Sequence, residues 1–242
     1  MPILSLLCLS VELFFAIHVI RTDRERYWIY VIMIPGIGCL LYFFTQFLPD
    51  MGHHRGVVRT GRKLIKAIDP QRELRQRKEA LVLSDTVENR IQLANECVEA
   101  GLHDDAIELY QSCLKGMHET DPHIMLKLAM AWFDLKRPEK TKQLLESLLE
   151  KNPEFQSLDG HLLYARALEQ LSLNDAALAE YQVLSTSFPG EEARVRYALL
   201  LFKTGEVEAA KRQFDETILR AKRAPKYYRK KEKAWITIAR EH

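Results

Sequence analysis

The sequence predicts an all-α protein: a two-helix transmembrane hairpin, then an α-solenoid of helical repeats, then a C-terminal capping helix. Two observations lead to this prediction. Residues 1–50 contain two apolar runs of about twenty residues each, which is the length that spans a bilayer. Beyond them, four alanines recur at intervals of 35, 36 and 33 residues, with other residue types at fixed distances behind each one.

The N-terminal region, residues 1–50, is predicted to be the hairpin. Its spans are about residues 2–20 and 28–48, and a short charged loop separates them. The first run lacks the basic start and the small-residue cleavage site of a signal peptide, and a second run follows at once. We therefore expect an uncleaved anchor.

The second apolar run carries a recognisable spacing. Trp28, Pro35, Gly38, Tyr42 and Phe43 read W-x6-P-x2-G-x3-Y-F. This pattern resembles the membrane segment that precedes phospholipase D and cardiolipin synthase domains. The H-x-K-x4-D motif of those enzymes does not occur, because none of the 8 histidines has a lysine two places later. The resemblance therefore implies a bacterial membrane anchor without the enzyme.

Residues 51–85 are predicted to form a basic juxtamembrane linker or helix. Residues 51–82 hold nine basic and three acidic side chains, a net charge of +6. Such a stretch can bind anionic membrane lipid, or it can act only as an orientation signal, and both interpretations stay open. The resemblance implies the bacterial inner (plasma) membrane, and the positive-inside rule then places the repeat domain in the cytoplasm.

The recurring alanines predict four helical repeats. Twelve residues after each alanine comes a second small residue, and sixteen residues after it comes a bulky one. Two helices approach closely where both present small side chains, and fixed offsets in units of about 34 residues are typical of a solenoid. The alanines expected at these helix crossings are Ala94, Ala106, Ala129, Ala165, Ala177, Ala198 and Ala210.

This spacing resembles the tetratricopeptide repeat, which has small residues at positions 8 and 20 and an aromatic residue at position 24. Gly101 and Gly205 then fall in the turn between the two helices, where glycine tolerates left-handed dihedrals. Lys136 and Ser172 occupy that turn in the middle repeats. The array covers residues 86–224, and its repeats are about 87–121, 122–157, 158–190 and 191–224.

The resemblance implies a concave groove formed by the first helix of each repeat. Its side chains combine apolar pockets with basic groups, so a partner segment with hydrophobic anchors and some acid suits it. The sequence thus predicts a membrane-anchored scaffold or adaptor for an unidentified protein partner. The expected groove residues are Asn95, Val98, Lys127, Met130, Phe133, Leu162, Arg166, Glu169, Arg196, Leu199, Phe202 and Lys203.

Residues 225–242 are predicted to be the capping helix, because the last repeat leaves an apolar face that needs a cover. Tyr228, Ala234, Trp235, Ile238 and Ala239 approximate a helical stripe. The charge is strongly segregated here. Residues 83–219 hold 14 basic and 24 acidic side chains (−10), whereas residues 220–233 hold eight basic and one acidic (+7). No nucleic-acid-binding fold accompanies this basic stretch, so no nucleic acid is expected.

No enzyme motif is present in the sequence. It contains no G-x4-G-K-[ST], no G-x-S-x-G and no H-E-x-x-H, so we expect neither catalysis nor a cofactor nor a metal. Two other functions stay open. One is a regulatory subunit of envelope lipid metabolism, suggested by the hairpin, and the other is a periplasmic envelope-assembly factor. The sequence does not predict the oligomeric state.

Overall fold

The computed structural model describes residues 2–21, 27–34, 37–47, 69 and 71–242. They divide into two compact units, Met1–Arg72 and Glu73–His242. Within residues 2–47, the described helices of the first unit are α1 (Pro2–Arg21), α2 (Tyr27–Ile32), α3 (Ile37–Tyr42) and a π-helical turn at Phe43–Phe47.

The first unit has a small aromatic core around Tyr42, whose side chain is completely buried. The Tyr42 hydroxyl lies 2.9 Å from His18 Nδ1 of α1. The rings of Phe15 and Trp28 meet the Tyr42 ring edge to face, with centroids 5.5 and 5.4 Å away. These contacts join α1, α2 and α3.

The prediction of two membrane spans, and of the inner-membrane location that depended on them, is wrong. Within the described parts of the chain, no helix has both the length and the apolar character that crossing a bilayer requires. The predicted second span is divided into α2, α3 and the π-helical turn, which have 6, 6 and 5 residues. The interruption lies near Pro35, and a proline disfavours helical dihedrals in the residue before it. The first helix carries Glu12 and His18 within its apolar sequence.

The second unit, Glu73–His242, contains helices and no strand. Its first helix is α4 (Arg72–Leu83), which lies in the predicted basic linker. Residues 51–68 and 70 of that linker lie outside the described residues. Four helix pairs follow: α5 (Val87–Glu99) and α6 (His103–Cys113), α7 (Pro122–Asp134) and α8 (Pro138–Lys151), α9 (Leu158–Gln170) and α10 (Asn174–Ser187), and α11 (Glu192–Lys203) and α12 (Val207–Arg223). Two short helices, α13 (Lys226–Lys231) and α14 (Lys233–Glu241), end the chain.

The first helix of each of the first three pairs begins at a side chain that accepts hydrogen bonds from the new helix. Thr86 accepts from the backbone NH of Asn89, and Asp121 accepts from those of His123 and Ile124. Ser157 does the same for Gly160. These contacts satisfy NH groups that have no partner inside the helix.

The turn inside every pair has the same backbone geometry. In the first pair Leu102 NH donates to the Cys97 carbonyl and Gly101 NH to the Val98 carbonyl. Equivalent bonds occur in the other three pairs, and this is the Schellman arrangement, which needs one left-handed residue. That residue is Gly101 (φ 77°), Lys136 (φ 57°), Ser172 (φ 58°) or Gly205 (φ 94°). In the two middle turns, a lysine and a serine therefore adopt the left-handed backbone conformation that glycine favours.

We expect Lys136→Gly and Ser172→Gly each to raise the free energy of unfolding by about 1 kcal/mol. A left-handed residue with a Cβ costs about 1–2 kcal/mol, and glycine avoids this cost. Urea unfolding followed by circular dichroism measures the change. The matched control is Gln143→Gly, an exposed position inside α8, which should lose about 1 kcal/mol. A loss of stability in both turn variants would contradict the dihedral argument.

The core of the second unit lies between the two helices of each pair and between neighbouring pairs. All seven alanines expected at helix crossings are fully buried, with 0 % of their surface exposed. The buried aromatic residues Tyr110, Tyr181 and Phe214 lie beside them in the same core clusters. Thr141 is buried too. Its hydroxyl donates a hydrogen bond to the carbonyl of Arg137, the residue just before α8.

The C-terminal end differs from the predicted single capping helix, because it consists of α13 and α14. Ala239, Trp235 and Ile238 of α14 pack into the same apolar cluster as Ala198 and Phe214 of the fourth pair. Glu232 separates the two helices and is itself buried. Its carboxylate accepts a hydrogen bond of 3.1 Å from the backbone NH of Glu191.

Glu191 is the centre of a buried polar cluster that connects the C-terminal helices to the fourth pair. Its carboxylate is completely buried and forms an ion pair of 2.7 Å with Arg194, which is also buried. It accepts hydrogen bonds from Arg220 Nε at 3.2 Å and from the Tyr228 hydroxyl at 2.8 Å. Arg194 also donates to the Ser185 carbonyl. The cluster thus joins α10, α11, α12 and α13.

Candidate functional site

The predicted groove wall consists of side chains from the first helices α5, α7, α9 and α11. Its first contact joins α5 to α7. Lys127 Nζ of α7 donates to Asn95 Oδ1 at 2.8 Å, and the Tyr110 hydroxyl of α6 donates to the same oxygen at 2.8 Å. Asn95 therefore holds the lysine at the boundary between the first two repeats.

The second contact joins α7 to α9. The guanidinium carbon of Arg166 lies 4.6 Å from the centroid of the Phe133 ring, a distance at which the ring face attracts a cation. Phe133 is nearly completely buried, whereas Arg166 is half-buried. Arg166 thus covers an aromatic ring of the preceding repeat and keeps its charge near the surface.

The third set of contacts joins α9 to α11 through alternating charges. Arg166 Nη1 lies 3.8 Å from a carboxylate oxygen of Glu192, and Arg196 Nε donates to the same oxygen at 2.8 Å. Arg196 also lies 3.8 Å from Glu169. Glu169 in turn accepts a hydrogen bond of 2.6 Å from the buried Tyr181 hydroxyl. Two arginines and two glutamates therefore alternate across the boundary between the third and fourth repeats.

The wall continues onto the C-terminal helices. Arg196 lies over the ring of Trp235 of α14, with 5.1 Å from its guanidinium carbon to the ring centroid. Phe202 is about half exposed and meets the ring of His242 at 5.5 Å, while His242 stacks on Phe214. Trp235 is thus both a core residue of the cap and a neighbour of the predicted groove residues.

The twelve predicted residues differ in their access to solvent. Phe133 and Leu162 are buried, because they pack into the core clusters of the second and third repeats. Their side chains therefore support the wall from behind and offer little surface to a partner. Met130, Phe202 and Lys203 are exposed, and the remaining seven are half-buried: Asn95, Val98, Lys127, Arg166, Glu169, Arg196 and Leu199.

The wall has an excess of positive charge within an acidic array. Four of the twelve predicted residues are cationic, and one, Glu169, is acidic. Among the described residues, no carboxylate pairs with Lys127. Arg166 Nε is buried without a hydrogen-bond partner in the described structure. Burial raises the pKa of Tyr110 to about 12, and burial beside Glu169 raises the pKa of Tyr181 further, so both tyrosines are neutral donors at physiological pH.

Two residues of this site were not predicted as groove residues. Glu192 is the first residue of α11. The resemblance assigns the first helix of each repeat to the groove, so the signal was present in the sequence. Trp235 was assigned only to cap packing, and its contact with Arg196 depends on how α14 folds back. Within the described chain, no group of three or more histidine, cysteine or acidic side chains could hold a metal ion.

Comparisons with known proteins agree with the repeat architecture. Residues 124–154 match the tetratricopeptide repeat family model. No curated protein sequence matches the chain. None of the matches supports the phospholipase-type hairpin suggested for the N-terminal region.

Three solved structures illustrate the likeness in fold. TTC0263 of Thermus thermophilus, a thermophilic TPR protein, is 19% identical with a TM-score of 0.52, covering 74% of this chain and 96% of that one. The MamA protein is 20% identical with a TM-score of 0.52, covering 64% and 84%. YrrB, described as a TPR protein with an unusual peptide-binding site, is 18% identical with a TM-score of 0.50, covering 67% and 88%. The four helix pairs of this chain form an all-α solenoid like those of tetratricopeptide-repeat proteins.

Proposed function

We propose that the protein is an interaction scaffold that holds a partner's peptide segment against the wall formed by its first helices. The observation that carries the proposal is the arrangement of Lys127, Arg166 and Arg196. Each makes a contact that crosses from one repeat to the next or onto the cap. Contacts of this kind hold flexible cationic side chains in place before a partner arrives, which reduces the entropy lost on binding.

The partner segment that fits this wall is acidic and carries apolar anchors. Lys127 and Arg166 supply positive charge, and Met130 and Phe202 supply exposed apolar side chains on the first helices of the second and fourth repeats. An acidic group of the partner would gain charge-assisted hydrogen bonds from these cations. YrrB is described as having a peptide-binding site, and its similar fold agrees with a binding role for the solenoid. Among the twelve wall residues, no nucleophilic side chain lies within hydrogen-bond distance of a general base, so the proposal is binding without catalysis.

Charge reversal on the wall is expected to weaken partner binding and leave the fold intact. A peptide-display library selected against the immobilised full chain should yield segments with apolar anchors and acidic residues. The best peptide should bind Lys127→Glu and Arg166→Glu at least about tenfold more weakly, because like charges across an interface suppress association. Fluorescence anisotropy with the labelled peptide measures both affinities.

The matched control is Lys211→Glu, an exposed charge reversal on α12. Its peptide affinity should equal that of the parent chain. Circular dichroism melting curves verify that all three variants fold. Equal affinities in wall and control variants would reject the assigned face, and a selection rich in basic peptides would reject the proposed partner chemistry.

A further inference from the structure

A pocket of about 730 Å³ opens between the second and third repeats. Side chains of α8, α9 and α10 line it, together with Leu126 of α7 and the loop that joins α8 to α9. None of the twelve predicted groove residues is among the lining residues. The pocket therefore shares no residue with the predicted groove set.

The pocket has apolar walls, and its lining includes several exposed apolar residues. Leu145, Leu148 and Phe155 belong to the walls, and Leu149, Leu158 and Val183 are exposed aliphatic side chains in the lining. Exposed aliphatic residues grouped around a cavity of this size are typical of an interaction site. On one wall His161 Nε2 lies 2.6 Å from a Glu180 carboxylate oxygen.

The surroundings of the pocket are acidic. Residues 142–161 and 180–187, which include most of its lining, hold five carboxylates and two lysines, a net charge of −3. Lys142 is already paired with Glu146 at 2.7 Å. An occupant with an apolar or aromatic anchor and positive charges around it is therefore complementary to this surface.

The C-terminal basic segment of the same chain has this composition. Seven cationic side chains between residues 222 and 233 are exposed. Among them stands Tyr227, whose side chain is 75% exposed, while its neighbour Tyr228 is held by Glu191. Tyr227 does not line the pocket of its own chain. One chain therefore carries both an exposed aromatic anchor and an apolar pocket, and the anchor does not fill the pocket of its own chain.

We propose that this pocket binds the basic C-terminal segment of a second copy of the chain, with Tyr227 as the inserted residue. The contact is heterologous, because the pocket of one copy receives the segment of the next. Heterologous contacts build rings or open chains of subunits. Because opposite charges contribute to the contact, the assembly should weaken as salt rises.

Sedimentation velocity of the purified full chain tests the proposal over a range of protein concentrations. We expect oligomers at about 0.05 M NaCl that dissociate at about 0.5 M NaCl. Val183→Arg, which alters the pocket, and Tyr227→Glu, which alters the segment, should each weaken self-association at least about tenfold. Met117→Arg, a similar change at an exposed residue outside the pocket lining, should associate like the parent.

Mixing the two defective variants gives the sharpest result. An intact segment on Val183→Arg and an intact pocket on Tyr227→Glu can form one contact, so the mixture should give dimers with one copy of each variant and nothing larger. Association of the single variants equal to the parent would overturn the proposal. So would a mixture that stays monomeric, or a parent chain that is monomeric at low salt and instead binds a foreign basic peptide in the pocket.

Discussion

Replacing Glu191 with alanine is expected to lower the free energy of unfolding by about 3–5 kcal/mol. The substitution leaves Arg194 as a buried charge without its partner, and breaking a buried ion pair in this way costs about that amount. It also removes the acceptor of the Tyr228 hydroxyl and of Arg220. Urea unfolding of the full chain, followed by circular dichroism, measures the loss.

Glu192→Ala is the matched control, because it removes a carboxylate from the adjacent residue. Glu192 is partly exposed and pairs with Arg196 at 2.8 Å. Exposed pairs contribute about 0–1 kcal/mol, so this variant should lose about 1 kcal/mol or less. If Glu191→Ala and Glu192→Ala unfold at the same urea concentration, the buried cluster does not stabilise the C-terminal end.

Ala177→Leu is expected to cost about 1–3 kcal/mol by overpacking the crossing between α9 and α10. Ala177 has no exposed surface and lies in one cluster with Ala165 and Tyr181. Three additional heavy atoms fit there only if the helices separate or the side chain leaves its preferred rotamer. Thermal unfolding measures the change.

The neighbouring residue Ala176 supplies the control for this variant. It lies on the same helix and is exposed, so Ala176→Leu should leave the melting temperature within about one degree, as an ordinary surface substitution does. Equal destabilisation of both variants would show that the burial assigned to Ala177 is wrong.

The repeat part of the fold was predictable because its signals are local and recur four times. The alanine spacing located the helix pairs, and Gly101 and Gly205 located their turns. Lys136 and Ser172 concealed the same turn, since residues with a Cβ rarely adopt it. Their place in the period still identified them, and the structure gives them positive φ values.

The N-terminal region was predicted less well, because apolar composition alone does not distinguish a membrane span from a cluster of short packed helices. The run around Trp28 and Tyr42 has the composition of a span, yet its described helices are short and bury Tyr42 against α1. Contacts between distant residues, such as that of Glu191 with Tyr228, carry no local signal. The same holds for Arg196 and Trp235, which are 39 positions apart in the sequence.

The Glu191 cluster has a consequence for how this array can change in length during evolution. The first positions of the other repeats hold Val87, Pro122 and Leu158, so duplication of one of those units creates no new buried charge. Duplication of the fourth unit would bury a second copy of Glu191 and Arg194 without a second Tyr228. New units can therefore be inserted ahead of residue 191, whereas the fourth unit and the C-terminal helices must be inherited as one block.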